Sequence, residues 1–246
     1  MRHILLGLFL VSTAALAQSP TPAAEELLKD SDRARGSIAG GVSWELDLDA
    51  LDDGTKSKVH YVVKAKGNDA LSEATEPARN KGELMLFNDR NLWFFKPGLR
   101  KPVAISARQK LMGQAANGDI ASTNYFRDYE GKIVGEESVE GVPCWKLELK
   151  AKGKNVTYDG IRYWISKKDR IGIKAEFLTV SGEMFKNASF EYKNTISING
   201  GKAEPFVSKM TILDPLKPAN KTTLTFSSPK AEVHADSLFN VNNLVR

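Results

Sequence analysis

From Val42 onward, apolar and polar residues alternate. In "VSWELDLDAL", Val42, Trp44, Leu46, Leu48 and Ala50 fall on one side of an extended chain, and Ser43, Glu45, Asp47 and Asp49 on the other. That is the pattern of an antiparallel strand with one buried face. Asp52-Asp53-Gly54 reads as a turn, after which "KVHYVVKAKG" returns with Val59, Tyr61, Val63 and Ala65 on its apolar side. The same grammar predicts hairpins from "GELMLFN" and "NLWFFK" about Asp89-Arg90, and from "KIVGEESVEG" and "CWKLELKAK" about Gly141-Val142-Pro143. It also pairs "NVTY" with "IRYWIS" about Asp159-Gly160, and "IGIKAEFLTV" with "EMFKNASFEYKNTISI" about Ser181-Gly182. Lastly, "FVSKMTIL" and "KTTLTFSS" flank 214–219, where Pro215 and Pro218 exclude a central strand. About ten to twelve strands in hairpin order predict one antiparallel meander sheet curled on itself.

Two stretches break the alternation. In "QSPTPAAEELLKDSDRARG", residues 18–36, Thr21 is placed to cap a helix and Pro22 to occupy its first position, Glu25 and Glu26 suit its positive end, and Gly36 suits its stop. Ala24, Leu27, Leu28 and Ser31 then share one side. Residues 104–132 show no sustained period, and so long a connection in a compact domain is functional or contains a helix. Leu111, Met112, Ala115 and Ala116 predict a short helical lid lying over the sheet. A third anomaly is the run Leu92-Trp93-Phe94-Phe95, which cannot alternate between core and water, so both of its faces must be covered.

Large apolar side chains are plentiful on these strands. Trp44, Trp93, Trp145 and Trp164 each sit on a different one, joined by Phe87, Phe94, Phe95, Tyr163, Phe177, Phe190 and Phe226. A closed sandwich or small barrel would pack them as core. A curved sheet with only two helical pieces to cover it has a second option, an apolar cavity on its concave face.

Chemistry is sparse by comparison. The opening "MRHILLGLFLVSTAALAQ" has a basic start, an apolar run and Ala15-Leu16-Ala17, the signature of a secretory signal peptide over residues 1–17. Residues 18–246 are then expected as one exported domain, soluble and not lipid-anchored, because Gln18 stands where a lipid-anchored bacterial protein has cysteine. Cys144 is the single cysteine, so packing rather than disulfides must hold the fold. Losing Arg2 with the leader takes the formal charge from +5 to +4, mildly basic, with lysines dispersed rather than clustered for nucleic acid. His60 and His234 sit in strand-like contexts without further ligands at metal spacing. The pairs Asp47/Asp49, Asp52/Asp53 and Glu136/Glu137 lie on a polar strand face or in turns, whereas paired catalytic carboxylates need one desolvated partner. Nucleophile elbows, phosphate loops and dinucleotide fingerprints are absent. No cofactor, metal or catalytic activity is expected.

The succession of leader, "AEELLKDSDRARG", "VSWELDL", "ELMLFNDRNLWFFKPGLRKPVAIS", "QKLMGQAANGDIA", "DYEGKIVGEESVEGVPCWKLELKAK", "YDGIRYWISKKDRIGIKAEFLTVSGEMFK" and "DSLFNVNNL" resembles the bacterial outer-membrane lipoprotein-sorting proteins, the LolA-like family. The likeness is to a divergent subgroup often encoded beside RND-type exporters. It implies a mainly β fold with helices (α+β), a single curved antiparallel sheet forming an unclosed β-barrel around an apolar cavity. An N-terminal helix and a short helical lid would cover it. It further implies a periplasmic, monomeric carrier of acyl chains of lipids or lipoproteins, whose partners would be an inner-membrane exporter or an outer-membrane acceptor. The cavity-lining candidates are Trp44, Leu46, Leu48, Phe87, Trp93, Phe95, Leu111, Met112, Trp145, Trp164, Phe177 and Phe190. Within 92–95 the lining face is either Trp93/Phe95 or Leu92/Phe94. Lys96, Arg100 and Lys101 are candidates for the rim, facing head groups or an acidic partner. The alternative is an interaction module whose curved sheet binds an envelope protein.

Overall fold

The computed structural model describes residues 21–88, 90–120 and 124–245. The expected leader and Asp89 lie outside them. Helix α1 (Ala24–Arg33) carries Glu25 and Glu26 in its first turn and buries Leu27, Leu28, Ser31 and Asp32. It begins later than expected, with Ala23 rather than Thr21 as N-cap and no side-chain cap. Gly36 follows at φ +109°, and a Cβ there would lie 2.9 Å from the Trp44 ring. That position therefore needs glycine for both its backbone and its neighbour.

Thirteen strands form one sheet. They are β1 (Val42–Asp52), β2 (Thr55–Lys66), β3 (Asp69–Glu76), β4 (Leu84–Asn88), β5 (Asn91–Phe95) and β6 (Val103–Ile105), then β9 (Tyr129–Val139), β10 (Val142–Ala151), β11 (Gly160–Ser166), β12 (Gly172–Leu178), β13 (Met184–Glu191), β16 (Lys209–Leu213) and β17 (Lys221–Ala231). Their order is β6-β5-β4-β3-β2-β1-β17-β16-β13-β12-β11-β10-β9. Every pairing is antiparallel, and the sheet is not closed into a barrel: β6 and β9 are its edges. The pairing of β1 with β17, Leu46 opposite Phe226 and Leu48 opposite Leu224, joins two meanders at the centre. Two small sheets accompany it, β7 (Lys110–Met112) with β8 (Ala115–Ala116), and β14 (Asn194–Ile196) with β15 (Glu204–Phe206).

The alternation in β1 and β2 is realised: Val42, Trp44, Leu46, Leu48, Val59, Tyr61, Val63 and Ala65 are all buried. Asp53 and Gly54 both adopt positive φ between these strands, as a tight hairpin turn requires. Four expectations are corrected. Strand β3 is unmarked in the sequence, because "DALSEATE" offers small residues rather than an apolar alternation. The Asp159-Gly160 turn joins no "NVTY" strand. Instead β10 pairs directly with β11, Leu149 opposite Ile161, while 152–159 forms a loop that buries Val156 and Tyr158. Leu111 to Ala116 is not helical: β7 and β8 turn about Gly113, whose φ is +55°. The one-turn helices α2 (Asn117–Ile120) and α3 (Tyr125–Asp128) follow. His234 lies in the loop after β17, buried, with Nε2 3.2 Å from the Val42 carbonyl.

The interior of the curve holds the main core. A second, smaller cluster sits on the outer side of β3, β4 and β5, where Leu71, Leu84, Leu86 and Phe95 meet Phe239 and Leu244, with Trp93 packed against them. The last two apolar residues come from the C-terminal segment, which forms 3₁₀ turns at Asp236–Phe239 and Val241–Asn243. Asn88 Nδ2 donates to the Phe239 carbonyl at 2.5 Å and fixes that segment to the sheet. The run 92–95 is thus covered twice, by the interior on Leu92 and Phe94 and by the C-terminal segment on Trp93 and Phe95.

Candidate functional site

The concave face is lined from both meanders. Trp44, Leu46 and Leu48 of β1, Phe87 of β4, Phe177 of β12 and Phe190 of β13 all belong to the interior cluster. Leu111 and Met112, on β7, are partly buried against it from above, and Trp145 is partly buried at its margin beneath the Lys167 ammonium, 4.1 Å from the ring centroid. Three candidates point elsewhere. Trp93 and Phe95 belong to the outer cluster. Trp164 alternates with the interior residues Tyr163 and Ile165, and lies under Lys146 and Lys174 at 5.1 and 4.4 Å. Sequence could not make this division, since a buried outer face reads like an inner one. Lys96, Arg100 and Lys101 are exposed on the connection between β5 and β6.

Residues 106–120 and 124–128 supply the cover. Ala115, Ile120 and Tyr125 enter the core, and Tyr158 of loop 152–159 stacks on Phe177 with ring centroids 3.8 Å apart. Among the described residues, one interior space bounded by Arg35, Trp44, Ile120, Phe190, Met210 and Phe226 is about 10 Å³. That is room for roughly one water molecule. An acyl chain can enter this space only if the residues around it, Ile120 of the cover among them, move.

Polar contacts fasten the cover around its margin. Lys110 pairs with Asp52 and Arg108 with Asp159, each at 2.5 Å. The Gln114 amide donates to Thr222 Oγ1 at 2.7 Å, and Lys186 Nζ donates to the Gln114 carbonyl at 2.6 Å. Tyr158 donates its hydroxyl to the Asp119 carboxylate, 2.8 Å from Oδ2. The glycines of this cover are seated tightly: a Cβ on Gly113 would lie 2.4 Å from Thr222 Oγ1.

A buried polar cluster joins α1 to the cover. Ser31 Oγ is 2.6 Å from the Tyr163 hydroxyl, and the Arg35 guanidinium lies between the Tyr125 and Phe190 rings at 4.8 and 4.7 Å. Asp32 Oδ2 accepts the Phe126 amide at 2.8 Å, while its Oδ1 has no hydrogen-bond partner among the described residues. Burial pushes the Asp32 carboxyl up to about 7, against the opposing pull of the Phe126 amide and Arg35. Burial also raises the Asp119 carboxyl. Asp32, Arg35 and Asp119 do not stand out in sequence. The available signal was Asp32 on the apolar stripe of α1, four residues after Leu28.

An acid whose folded value lies above its unfolded one takes up a proton on folding. For Asp32 the stabilising contribution is therefore full below the ordinary carboxylate value of 3.8 and is lost as pH rises to about 7. Asp32→Asn retains an oxygen for the Phe126 amide and removes the titration. Its melting temperature relative to wild type should rise between roughly pH 4 and pH 7, and parallel melting curves across that range would contradict this assignment.

Other titratable candidates have structural surroundings. Cys144 is buried and free, and burial raises its thiol value, the reverse of an activated nucleophile. Asp47 lies on the outer face between Lys58 at 3.4 Å and His60 at 3.0 Å. Among the described residues no group of three or more His, Cys, Asp or Glu side chains could hold a metal ion, and no helix is long and apolar enough to cross a membrane.

A family model described as "Uncharacterized protein" matches residues 66–246. No match is found among curated proteins. Among solved structures, a LolA superfamily protein from Nitrosomonas europaea superposes with a TM-score of 0.79 at 29% identity, covering 91% of this chain and 100% of that one. A putative outer membrane lipoprotein-sorting protein domain from Vibrio parahaemolyticus gives 0.74 at 20% identity, covering 91% and 100%. A DUF1329 family protein from Desulfovibrio piger gives 0.73 at 20%, covering 90% and 97%. These likenesses extend over nearly the whole open sheet, and the fold is LolA-like.

Proposed function

The chain belongs to the uncharacterized-protein family matched over residues 66–246 and has a LolA-like fold, and on that premise we propose that it is a non-enzymatic periplasmic carrier of acyl chains. Lipids or lipoproteins would lodge their chains between the sheet and the cover, for transfer to the outer membrane or an envelope exporter. The observation that carries this reading is the cover itself. It fills an aromatic concave face, yet its margin is held by separable polar contacts.

The magnitudes allow exchange. Each hydrogen bond or exposed ion pair lost on opening costs about 1 kcal/mol net, while burying acyl methylenes returns about 0.8 kcal/mol apiece. One chain of ordinary length offsets the named polar contacts, and a second offsets much of the apolar surface the cover uncovers. Trp44, Leu46, Leu48, Phe87, Phe177 and Phe190 are the proposed lining, with Trp145 at its margin and Leu111 and Met112 on the cover. Lys96, Arg100 and Lys101 are proposed to meet head groups or an acidic partner.

Native mass spectrometry of protein purified from a bacterial periplasm should show co-purifying acyl species, and a fluorescent fatty acid should bind and be displaced by unlabelled lipid. Protein that is always ligand-free and binds no fluorescent fatty acid would refute the carrier. A stable envelope-protein partner without lipid would instead favour the interaction module.

A further inference from the structure

Exposed apolar side chains are unevenly distributed over this molecule. Among the described residues eight large ones are exposed, and four of them gather at two connections: Val180 on the β12–β13 turn with Met184 and Phe185 at the start of β13, and Leu216 between β16 and β17. Val180 is 87% and Leu216 90% exposed. Single exposed apolar residues are ordinary, but a neighbouring set is not. These connections are neighbours, because β12, β13, β16 and β17 are consecutive in the sheet and both leave it at the same end. With strands about 4.8 Å apart, the two tips lie roughly 10 Å from one another along the edge. The adjoining connections belong to the same edge. Lys217 Nζ reaches Asp53 of the β1–β2 turn at 2.9 Å, and the Phe185 and Tyr158 rings are 6.1 Å apart.

Lysines surround these tips. Lys56, Lys154 and Lys221 are exposed and have no ion-pair partner among the described residues; of the acids at this end, Asp52 and Asp53 are paired with Lys110 and Lys217, Asp214 accepts the Leu216 and Lys217 amides, and Glu183 is exposed on the β12–β13 turn. Between the β1–β2 hairpin and residues 214–220 lies a groove of about 560 Å³. Lys56, Lys58 and Lys221 line it together with Asp49, Leu51 and Pro218, and Lys58 is already paired with Asp47 and Asp49 at 3.4 and 3.8 Å, which leaves Lys56 and Lys221 as its unpaired cations.

We propose that this end of the sheet docks on an anionic phospholipid bilayer. Val180 and Leu216, with Phe185 behind them, enter the boundary between head groups and acyl chains, and the lysine-lined groove receives lipid phosphates. Apolar side chains raised on separate turn tips beside exposed lysines suit insertion among lipids, where a protein partner would meet a continuous apolar face. The location is also suited to delivery, since Lys186 beside Phe185 holds the Gln114 carbonyl of the cover. The inference extends the carrier reading, but its grounds, exposure and charge, stand without it.

Flotation of the full chain with phosphatidylethanolamine–phosphatidylglycerol vesicles, against phosphatidylcholine vesicles, tests this. Wild type should float with the anionic vesicles and lose binding as salt rises. Val180→Asp with Leu216→Asp should weaken it at least about tenfold, and Lys56→Glu with Lys221→Glu should remove the salt dependence. Val233→Asp, at a position 89% exposed on the segment after β17, should change nothing. All five positions are exposed, so unchanged melting shows that each variant folds. If wild type ignores anionic vesicles, or the Val180/Leu216 variant floats as well as wild type, membrane docking is wrong. Tips that cross-link to an envelope protein while vesicles are ignored overturn it in favour of a protein partner. Fatty-acid binding in the same variants should be unchanged. Loss of carriage in wild type with flotation intact would remove the carrier and leave the docking surface.

Discussion

Oxidising a Gly118→Cys/Thr157→Cys pair should abolish fatty-acid uptake, and a reductant should restore it. Gly118 lies in α2 and Thr157 in loop 152–159, and a Cβ built on Gly118 falls 3.1 Å from Thr157 Cβ. A disulfide needs about 3.5–4.5 Å between these atoms, so a shift of a few tenths of an ångström seats the bond. The next residues of both segments are already joined by the Tyr158–Asp119 hydrogen bond. The cross-link therefore holds a contact that exists in the closed state and must break if the cover leaves the sheet. It closes a loop of roughly 40 residues, worth about 4 kcal/mol through restriction of the unfolded chain. Oxidised protein should melt higher while its affinity for a fluorescent fatty acid falls at least about tenfold. That combination separates a locked cover from a misfolded one. Equal binding by the oxidised and reduced forms would mean that cargo does not enter beneath this cover. The native Cys144, buried, does not compete for the pairing.

The parts of this structure that were legible in sequence share one property: only one face of the strand is buried. In β1 and β2 the solvent face stays polar, so alternation reports the pairing directly. The signal fails where both faces are covered or neither is strongly apolar. Trp93, Phe95 and Trp164 were expected in the cavity because a second apolar environment outside the sheet leaves no polar register against which to orient them. Strand β3 escaped because Ala70, Ser72 and Ala74 are too small to mark a face. Loop 152–159 imitated a strand through Val156 and Tyr158, which are buried by reaching back into the core, not by alternating along a ladder. The polar cluster was illegible for a different reason. Asp32 and Arg35 look like solvated helix residues, and their burial depends on Phe126 and Tyr163, 94 and 128 residues away.

Phe239→Ala is expected to be among the most destabilising single substitutions outside the interior, costing about 3–5 kcal/mol in chemical denaturation. Phe239 is 2% exposed and comes from a 3₁₀ turn seated directly on the sheet, so its place depends on Leu71, Leu84, Leu86 and Phe95 of β3, β4 and β5. Removing the ring opens a void between the C-terminal segment and β3–β5, leaving Leu244 in the cluster and, among the described residues, polar anchors from Lys66 to the His234 carbonyl and Asp236, His234 near Val42, and Asn88 to the Phe239 carbonyl. The strands beneath carry Phe87 and Leu92 on their opposite face, toward the interior. If the two faces are separate in function as they are in space, Phe239→Ala should lower stability while the folded fraction binds fatty acid with unchanged affinity. Phe177→Ala should do the reverse in emphasis, altering fatty-acid affinity because its ring lies inside, against Tyr158. A Phe239→Ala protein with normal stability would show that the C-terminal segment covers the sheet without supporting it. One with changed affinity in the folded state would show that the outer cluster sets the curvature of the cavity wall.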